Sequence, residues 1–256
     1  RDWSSDVCSS DLAAGFLAET PAGSFTARRV VVCTGGKSLP KSGSDGSGLA
    51  LAASLGHSLA EPIVPALVPL VLPAGHWITT LSGLTLPTEV TLLTASGRRL
   101  CAVSGSTLCT HVGLSGPAIL DISRHWLVAR HADPTVRLAL NWLPGTTGEE
   151  LDRRLVAAGS RGAIGVLREW LADRLARALC EAAGAPQSGD VPRDARRRLA
   201  TLATATPLEI VGDRGFAVAE ATAGGVPLAE VRLETMESRI CPALHLAGEE
   251  IGRAHV

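Results

Sequence analysis

The stretch that decides the fold is Val30–Pro40, VVVCTGGKSLP. Its apolar opening predicts a buried strand that ends at Cys33. Thr34 and the pair Gly35 and Gly36 follow directly. Such glycines let the backbone turn with positive φ and let a ligand come close, because no Cβ is in the way. Since ligands of open α/β sheets bind outside the carboxyl ends of the strands, we expect a nucleotide next to this turn.

Two further blocks, far away in the chain, make this interpretation specific. One is Ala219–Arg239, AEATAGGVPLAEVRLETMESR, and the other is Thr110–Arg124, THVGLSGPAILDISR. Together with the glycine-rich loop Ser42–Gly46, these blocks resemble the BaiN/RdsA family of FAD-dependent oxidoreductases, also described as aminoacetone-oxidase-like flavoproteins. The resemblance extends from about Gly15 to Glu249, and the blocks stand in the order of that family.

The resemblance implies an α/β fold (α+β overall), in which a two-part FAD-binding, Rossmann-like domain is interrupted by an inserted β-rich plus helical domain. We expect residues 13–60 and 206–250 to form the FAD-binding domain, and residues 61–205 to form the inserted substrate domain. The resemblance also implies an enzyme. Hydride would pass from NAD(P)H through FAD to a small organic acceptor, or to oxygen.

The resemblance further assigns cofactor binding to the glycine-bearing segments. In each of them the backbone would approach the flavin closely, and the threonine of the first turn would offer a hydroxyl group. A purely conformational role of the glycines, in a tight turn or a β-bulge, is the alternative. The expected cofactor-binding residues are Thr34, Gly35, Gly36, Gly224, Gly225, Gly248 and Glu249.

The remaining block offers a candidate pocket for a second ligand. We expect a helix to begin there, with Ser115 as its cap and Pro117 in its first turn. A helix N-terminus carries partial positive charge and free N–H groups, which suit a carboxylate or a phosphate. Ser115 and Gly116 are therefore expected in the pocket for the substrate or the nicotinamide, with His111 as a catalytic proton donor. A structural hydrogen bond made by His111 is the alternative.

The composition limits the partners and the compartment. With 24 basic and 25 acidic residues the chain is close to neutral, so we expect neither a nucleic acid nor a membrane as partner. The 6 cysteines include no C-x-x-C pair, which predicts no disulfide framework and no metal site, and favours the cytoplasm. Residues 62–88 lack charged side chains, but recurring prolines there indicate extended chain rather than a membrane span.

Hydrophobic spacing and turn residues predict most of the secondary structure. The predicted strands are Gly15–Thr20, Ser24–Cys33, Leu67–Leu72, Val90–Thr94, Arg99–Val103, Val136–Leu140, Leu208–Val211 and Ala217–Ala221. The predicted helices are Ser44–Leu55, Ser115–Val128, Glu149–Ala157, Ala163–Ala182 and Asp194–Thr204.

Both ends of the sequence read as translated sequencing adapter. The segment Asp6–Asp11, DVCSSD, can be encoded by a DNA sequence of six codons. The reverse complement of that DNA sequence encodes Ile251–Val256, IGRAHV. Natural termini have no reason to be antisense to each other. We expect residues 1–12 and 251–256 to be this artefact, and Glu250 to be of doubtful origin. The chain would then be a fragment without the N-terminal dinucleotide motif, inactive when expressed alone.

Two other functions stay open. The first keeps the fold but makes the protein a tRNA-modifying flavoprotein, against which the neutral charge speaks. The second is a non-catalytic interaction module whose flavin is structural or lost. A hydrolase is disfavoured, because the nucleophile-elbow pattern G-x-S-x-G occurs only as Gly113–Pro117, without its last glycine.

Overall fold

The computed structural model describes residues 6–8 and 15–252, so most of the two expected adapter segments lies outside the described residues. The chain forms two compact units. The split unit combines the residues up to Ala66 with those from Gly215 onward, and the central unit comprises Leu67–Arg214. Within the described ranges, no helix is long and apolar enough to cross a membrane.

The described residues form many short strands and a smaller number of helices. The strands are β1 (Asp6–Cys8), β2 (Phe16–Thr20), β3 (Gly23–Ala27), β4 (Val30–Val32), β5 (Ala60–Ala66), β6 (Leu70–Val71), β7 (Thr85–Leu93), β8 (Arg99–Cys109), β9 (Gly113–Ser115), β10 (Arg137–Asn141), β11 (Thr206–Leu208), β12 (Gly212–Asp213), β13 (Ala221–Pro227), β14 (Val231–Arg232), β15 (Glu237–Ser238), β16 (Leu244–Leu246) and β17 (Ile251–Gly252). The α-helices are α1 (Ser47–Ser54), α2 (Pro117–Ala132), α3 (Gly148–Ala157), α4 (Gly162–Leu167), α5 (Asp173–Ala183) and α6 (Arg193–Ala205).

The split unit associates the two glycine pairs of the sequence with strands of different sheets. β4 lies parallel to β16 at the edge of a four-stranded sheet with the order β14-β15-β16-β4. Val32, Leu244 and Leu246 of these two strands are buried in one core with Ala52 of α1. A second sheet has the order β17-β13-β5, in which β13 runs antiparallel to β5. The first glycine pair follows β4, and the second lies within β13.

The central unit is built on a seven-stranded sheet with the order β11-β10-β7-β8-β9-β6-β12. Alternation along β7 buries Thr88, Val90 and Leu92 on one face, as expected for a sheet with one covered side. Helix α2 packs on β8 where Gly105 leaves room, because a Cβ there would lie 3.3 Å from Ala118 N. Helices α3 to α6 contribute buried side chains to the same core.

These units confirm the expected fold class, a mixed α/β chain in which a two-part unit is interrupted by a β-rich and helical one. The predicted antiparallel strands of the middle region are present as β7, β8 and β10. The helices predicted over Glu149–Ala157 and Asp194–Thr204 correspond to α3 and α6. The first helix begins later than predicted, at Ser47, and Gly56 follows it with a φ of +96°.

The single helix predicted over Ala163–Ala182 is wrong. Two helices, α4 and α5, replace it, and Leu171 lies in the break yet stays buried. Asp173 begins α5 and accepts hydrogen bonds from Nε of Arg168 at 2.6 Å and of Arg177 at 2.9 Å. A carboxylate in the first turn stabilises a helix start, so the chain begins a new helix here although its leucine spacing continues.

Three predicted strands also differ from the structure. The one predicted over Leu208–Val211 lies earlier in the chain, as β11. Ser24–Cys33 is not one strand, because β3 pairs with β2 in a hairpin whereas β4 leaves that hairpin to pair with β16. The strand before the first glycine pair is only partly buried, since Val31 is 57 % exposed. The strand predicted over Ala217–Ala221 is absent, and β13 begins where it was expected to end.

Candidate functional site

The turn after β4 aims two hydrogen-bond donors at one acceptor oxygen. Gly35 has a φ of +83°, which favours glycine at this position. Thr34 Oγ1 donates at 3.0 Å, and Gly35 N at 2.7 Å, to Oε1 of Glu250. The carboxylate of Glu250 is fully buried, and its position shows that the two donors can bind one anionic oxygen. The donor pair suits a phosphate, a hydroxyl or a carbonyl oxygen of a bound cofactor.

Gly36, the second glycine of this turn, is required by a close approach. A Cβ on Gly36 would overlap the hydroxyl oxygen of Thr222 and would lie 2.6 Å from Thr222 Cβ. The same Cβ would lie 2.9 Å from Oε2 of Glu249. Thr222 belongs to β13, so this contact joins the first and second sequence blocks.

The second glycine pair lies within a strand and not in a loop. The pairing of β13 with β5 shifts register between Ala223 and Gly225, which places Gly224 at a β-bulge. The φ values of the pair are +96° and +129°. A Cβ on Gly224 would lie 2.8 Å from Ala60 O, and one on Gly225 would lie 2.6 Å from Glu250 O. Neighbouring backbone therefore fills the space beside this pair, and its contact with a cofactor stays a prediction.

The third segment expected at the cofactor reaches the same neighbourhood. Gly248 turns with a φ of +93°, and Oε2 of Glu249 accepts the N–H of Thr222 at 3.2 Å. Thr222 thus contacts both Gly36 and Glu249. The structure brings the three segments that are expected to bind the cofactor together within the split unit.

His111, Ser115 and Gly116 belong to the central unit. His111 is exposed in the turn before β9. The expected cap is wrong, because the N-cap of α2 is Gly116, with a φ of +88° and no side-chain cap. Ser115 is instead held in β9 by pairing with Leu108, which fixes its backbone in a strand before the helix begins. Pro117 occupies the first helical position, as predicted.

One buried network of the split unit was missed by the sequence analysis. Nδ1 of His57 lies 2.7 Å from Oε2 of Glu230, and its Nε2 lies 2.9 Å from Oγ of Ser238. This is the order of groups in a hydrolase triad. However, Ser238 is only 2 % exposed, and its oxygen already accepts the N–H groups of Ile240 and Cys241. A substrate cannot reach the buried hydroxyl of Ser238, so the network stabilises the split unit and does not catalyse hydrolysis.

The charge state of Glu230 follows from its surroundings. Burial raises the pKa of its carboxyl, but hydrogen bonds from Ser58 and His57 outweigh burial and leave the pKa below the ordinary value of 4.5. His57 and Glu230 are 173 residues apart in the chain, so no spacing rule could have indicated the pair.

The fold and the site define a mixed α/β protein with a glycine turn suited to a ligand oxygen. A family model described as "HI0933-like protein barrel and H2TH domain" matches residues 64–221. This chain belongs to the HI0933-like family. The resemblance inferred from the three sequence blocks is thereby confirmed.

Curated relatives extend the comparison over almost the whole chain. A 3-dehydro-bile acid delta(4,6)-reductase of Clostridium scindens is 32 % identical over 246 residues, covering 93 % of this chain and 59 % of the relative. A ribosomal RNA dihydrouridine synthase of Escherichia coli is 29 % identical over 240 residues, covering 92 % and 57 %. The protein of the same name from Haemophilus influenzae is 27 % identical, covering 91 % and 56 %. The chain therefore spans somewhat more than half the length of these relatives.

Proposed function

We propose that the intact protein is an FAD-dependent oxidoreductase, in which hydride passes from NAD(P)H through the flavin to an organic acceptor, or to oxygen. The observation that carries the proposal is the turn after β4, where Thr34 and Gly35 donate to one carboxylate oxygen of Glu250 and would suit a cofactor oxygen in its place. The family match and the reductase name of the Clostridium scindens relative support the same class of chemistry.

Bound FAD would supply the redox chemistry, while the chain's own residues would hold and orient it. Thr34 and Gly35 would bind an oxygen of the cofactor. Gly36 would keep the turn close to β13, which carries Gly224 and Gly225. Gly248 and Glu249 would close the same site from the third segment.

Absorbance spectroscopy of the intact protein tests this proposal. We expect bound flavin, and loss of its absorbance bands on anaerobic addition of NADH or NADPH. Thr34→Val, which keeps the shape but removes one donor, should weaken FAD binding several-fold. Thr26→Val, at an exposed position of β3, is the matched control and should leave FAD binding unchanged. An intact protein that binds no flavin would overturn the proposal and favour the interaction module. The present chain alone, which spans somewhat more than half the length of its relatives, should purify colourless.

We further propose that His111, Ser115 and Gly116 line the pocket for the acceptor or the nicotinamide, with His111 as proton donor. The exposure of His111 near the start of α2 supports this. His111→Ala should lower acceptor turnover and leave flavin content intact. His131→Ala, at the exposed far end of the same helix, serves as control. Equal turnover of both variants would withdraw the catalytic role.

A second candidate function is that of an RNA-modifying flavoprotein acting on uridine. Two relatives are named ribosomal RNA dihydrouridine synthase. Although the whole chain is near neutral, the central unit contains 16 arginines against 13 aspartates and glutamates. Arg193 and Arg197 are exposed on one face of α6.

NADPH consumption measured in parallel with a uridine-containing RNA and with a small enone separates the two candidates. Reduction of the enone alone supports the small-molecule enzyme. Reduction of the RNA alone, with salt-sensitive binding, supports the RNA-modifying one. A small-molecule substrate and a cytoplasmic location remain parts of the proposal. The cysteines among the described residues, which form no disulfide, are compatible with that location.

A further inference from the structure

We infer that Thr222, which lies outside the set of residues expected to bind the cofactor, is the positioning residue that fixes the FAD-facing turn. The inference rests on the proposed function. The hydroxyl oxygen of Thr222 accepts the N–H groups of two consecutive residues, Lys37 at 2.8 Å and Ser38 at 3.1 Å. These residues directly follow the turn whose donors would hold the cofactor.

The hydroxyl groups of Thr222 and Ser38 also form a hydrogen bond, in which Thr222 is the donor. Oγ1 of Thr222 lies 3.0 Å from Oγ of Ser38. Because both lone pairs of Thr222 Oγ1 are used by backbone N–H groups, its own hydrogen donates to Ser38. Ser38 is only 5 % exposed, so water cannot readily replace these bonds. A side chain without a hydroxyl at position 222 would leave two backbone donors unsatisfied.

The backbone of Thr222 connects the third cofactor segment. Its N–H donates to Glu249, and its side chain occupies the place that a Cβ on Gly36 would need. Thr222 is therefore a common neighbour of the first turn, of β13 and of Glu249. The Thr222 side chain leaves no room for a Cβ at position 36, which explains the glycine there.

The hydrogen bonds to Thr222 matter for cofactor binding because they hold the glycine turn in place. On its strand side the turn is held by β4, which pairs with β16. On its other side the next backbone anchor is Leu39 N, which donates to Phe216 O at 2.9 Å. Without the Thr222 hydroxyl, the turn would lose its two backbone hydrogen bonds between Gly35, which donates to Glu250, and Leu39. Ordering that segment would then oppose FAD binding.

Three variants of the intact protein test the inference. Thr222→Val replaces the hydroxyl by a methyl group, and Thr222→Ser keeps the hydroxyl. Thr88→Val is the control for lost stability, because Thr88 is 1 % exposed and its hydroxyl bonds to Thr107 in the central unit. The readouts are the FAD dissociation constant, amide hydrogen exchange at Lys37 and Ser38, and the melting temperature.

We expect Thr222→Val to raise the FAD dissociation constant about tenfold or more and to speed amide exchange at both residues by a similar factor. Thr222→Ser should stay within about threefold of wild type. Thr88→Val should lower the melting temperature without changing FAD affinity. If Thr222→Val does not fold, Thr222→Ala, which removes the same acceptor, is measured instead with the same expectation.

A Thr222→Val protein that melts lower but binds FAD as tightly as wild type would overturn the inference and leave a structural role. A wild-type protein that binds no FAD would instead show that the proposed function itself is wrong. The two failures are therefore distinguishable.

Discussion

The two glycine pairs look alike in the sequence but differ in what surrounds them. Next to Gly35 and Gly36 lie side-chain oxygens, among them Ser44 Oγ. Next to Gly224 and Gly225 lie mainly backbone atoms of neighbouring chain segments, together with the side-chain atom Ile63 Cγ1. Side chains can adjust to a ligand, whereas backbone held in a sheet cannot move without losing its hydrogen bonds. The comparison suggests that the first pair serves the ligand directly and the second serves the sheet that supports it.

Gly225→Val should have the largest effect and would sharpen the comparison. A branched side chain there would meet Glu250 O, which lies 2.6 Å from the Cβ position, and would strain a φ of +129°. We expect the free energy of unfolding to fall by about 3 kcal/mol or more, with poor soluble yield. Denaturant unfolding measures it. The control is Gly43→Ala, where φ is +106° but no atom lies within 4 Å. Equal losses in both variants would show that strain alone matters.

Gly36→Ala should have a smaller effect on folding but a clear one on the cofactor. Its φ is not in the left-handed region, and the nearest neighbours of the added methyl group are the side chains of Thr222 and Glu249. We expect a cost of about 1–2 kcal/mol in stability and a loss of most FAD affinity. Thermal melting and an FAD titration measure the two. Unchanged FAD affinity would show that the first pair does not contact the ligand, and the two pairs would then not differ in function.

The pH dependence of stability tests whether Glu230, which follows the second glycine pair, stabilises the folded state through its hydrogen bonds to His57 and Ser58. The hydrogen bonds that lower the pKa of Glu230 favour the carboxylate in the folded state. This contribution is fully present above the ordinary value of 4.5 and is lost as the pH falls below it, because the unfolded chain takes up the proton more readily. Glu230→Gln should therefore flatten the fall in melting temperature below that pH. If the melting temperatures of the wild type and of Glu230→Gln fall in parallel with pH, Glu230 makes no such contribution to stability.

Ser115→Ala should have the smallest effect. Gly116, and not Ser115, is the N-cap of α2, and a Cβ on Gly116 would lie 2.8 Å from Ser106 O. This glycine therefore resembles the second pair, since backbone fills the space beside it. We expect Ser115→Ala to change stability by less than about 0.5 kcal/mol, where the loss of a true cap costs about 1 kcal/mol. Urea unfolding distinguishes the two values.

Much of the fold was predictable because it follows local patterns. The alternating residues of β7 and the helical spacing of α3 and α6 depend on which side of one element is buried. The break between α4 and α5 was not predictable from spacing, because Leu171 is buried as a continuous helix would require. The new helix start at Asp173 is supported by Arg168 and Arg177, which are close in the sequence, but the continuing leucine spacing hid this local signal.

The candidate site was predictable in its segments but not in its connections. The glycines of the first turn stood out because their residue type signals positive φ or close approach. Thr222 lies in the second sequence block, but nothing distinguished it there, because its partners Lys37 and Ser38 are 185 and 184 residues away. The His57 network was hidden for the same reason, since it exists only after the sheets have formed.

The most direct test of the central claim is a crystal structure of the intact protein with FAD. We expect Thr34 Oγ1 and Gly35 N to donate to a cofactor oxygen in place of the Glu250 carboxylate that accepts them in this structure. We also expect Thr222 to accept the N–H groups of Lys37 and Ser38 in the complex. FAD bound at another place, with these donors facing only protein atoms, would contradict it.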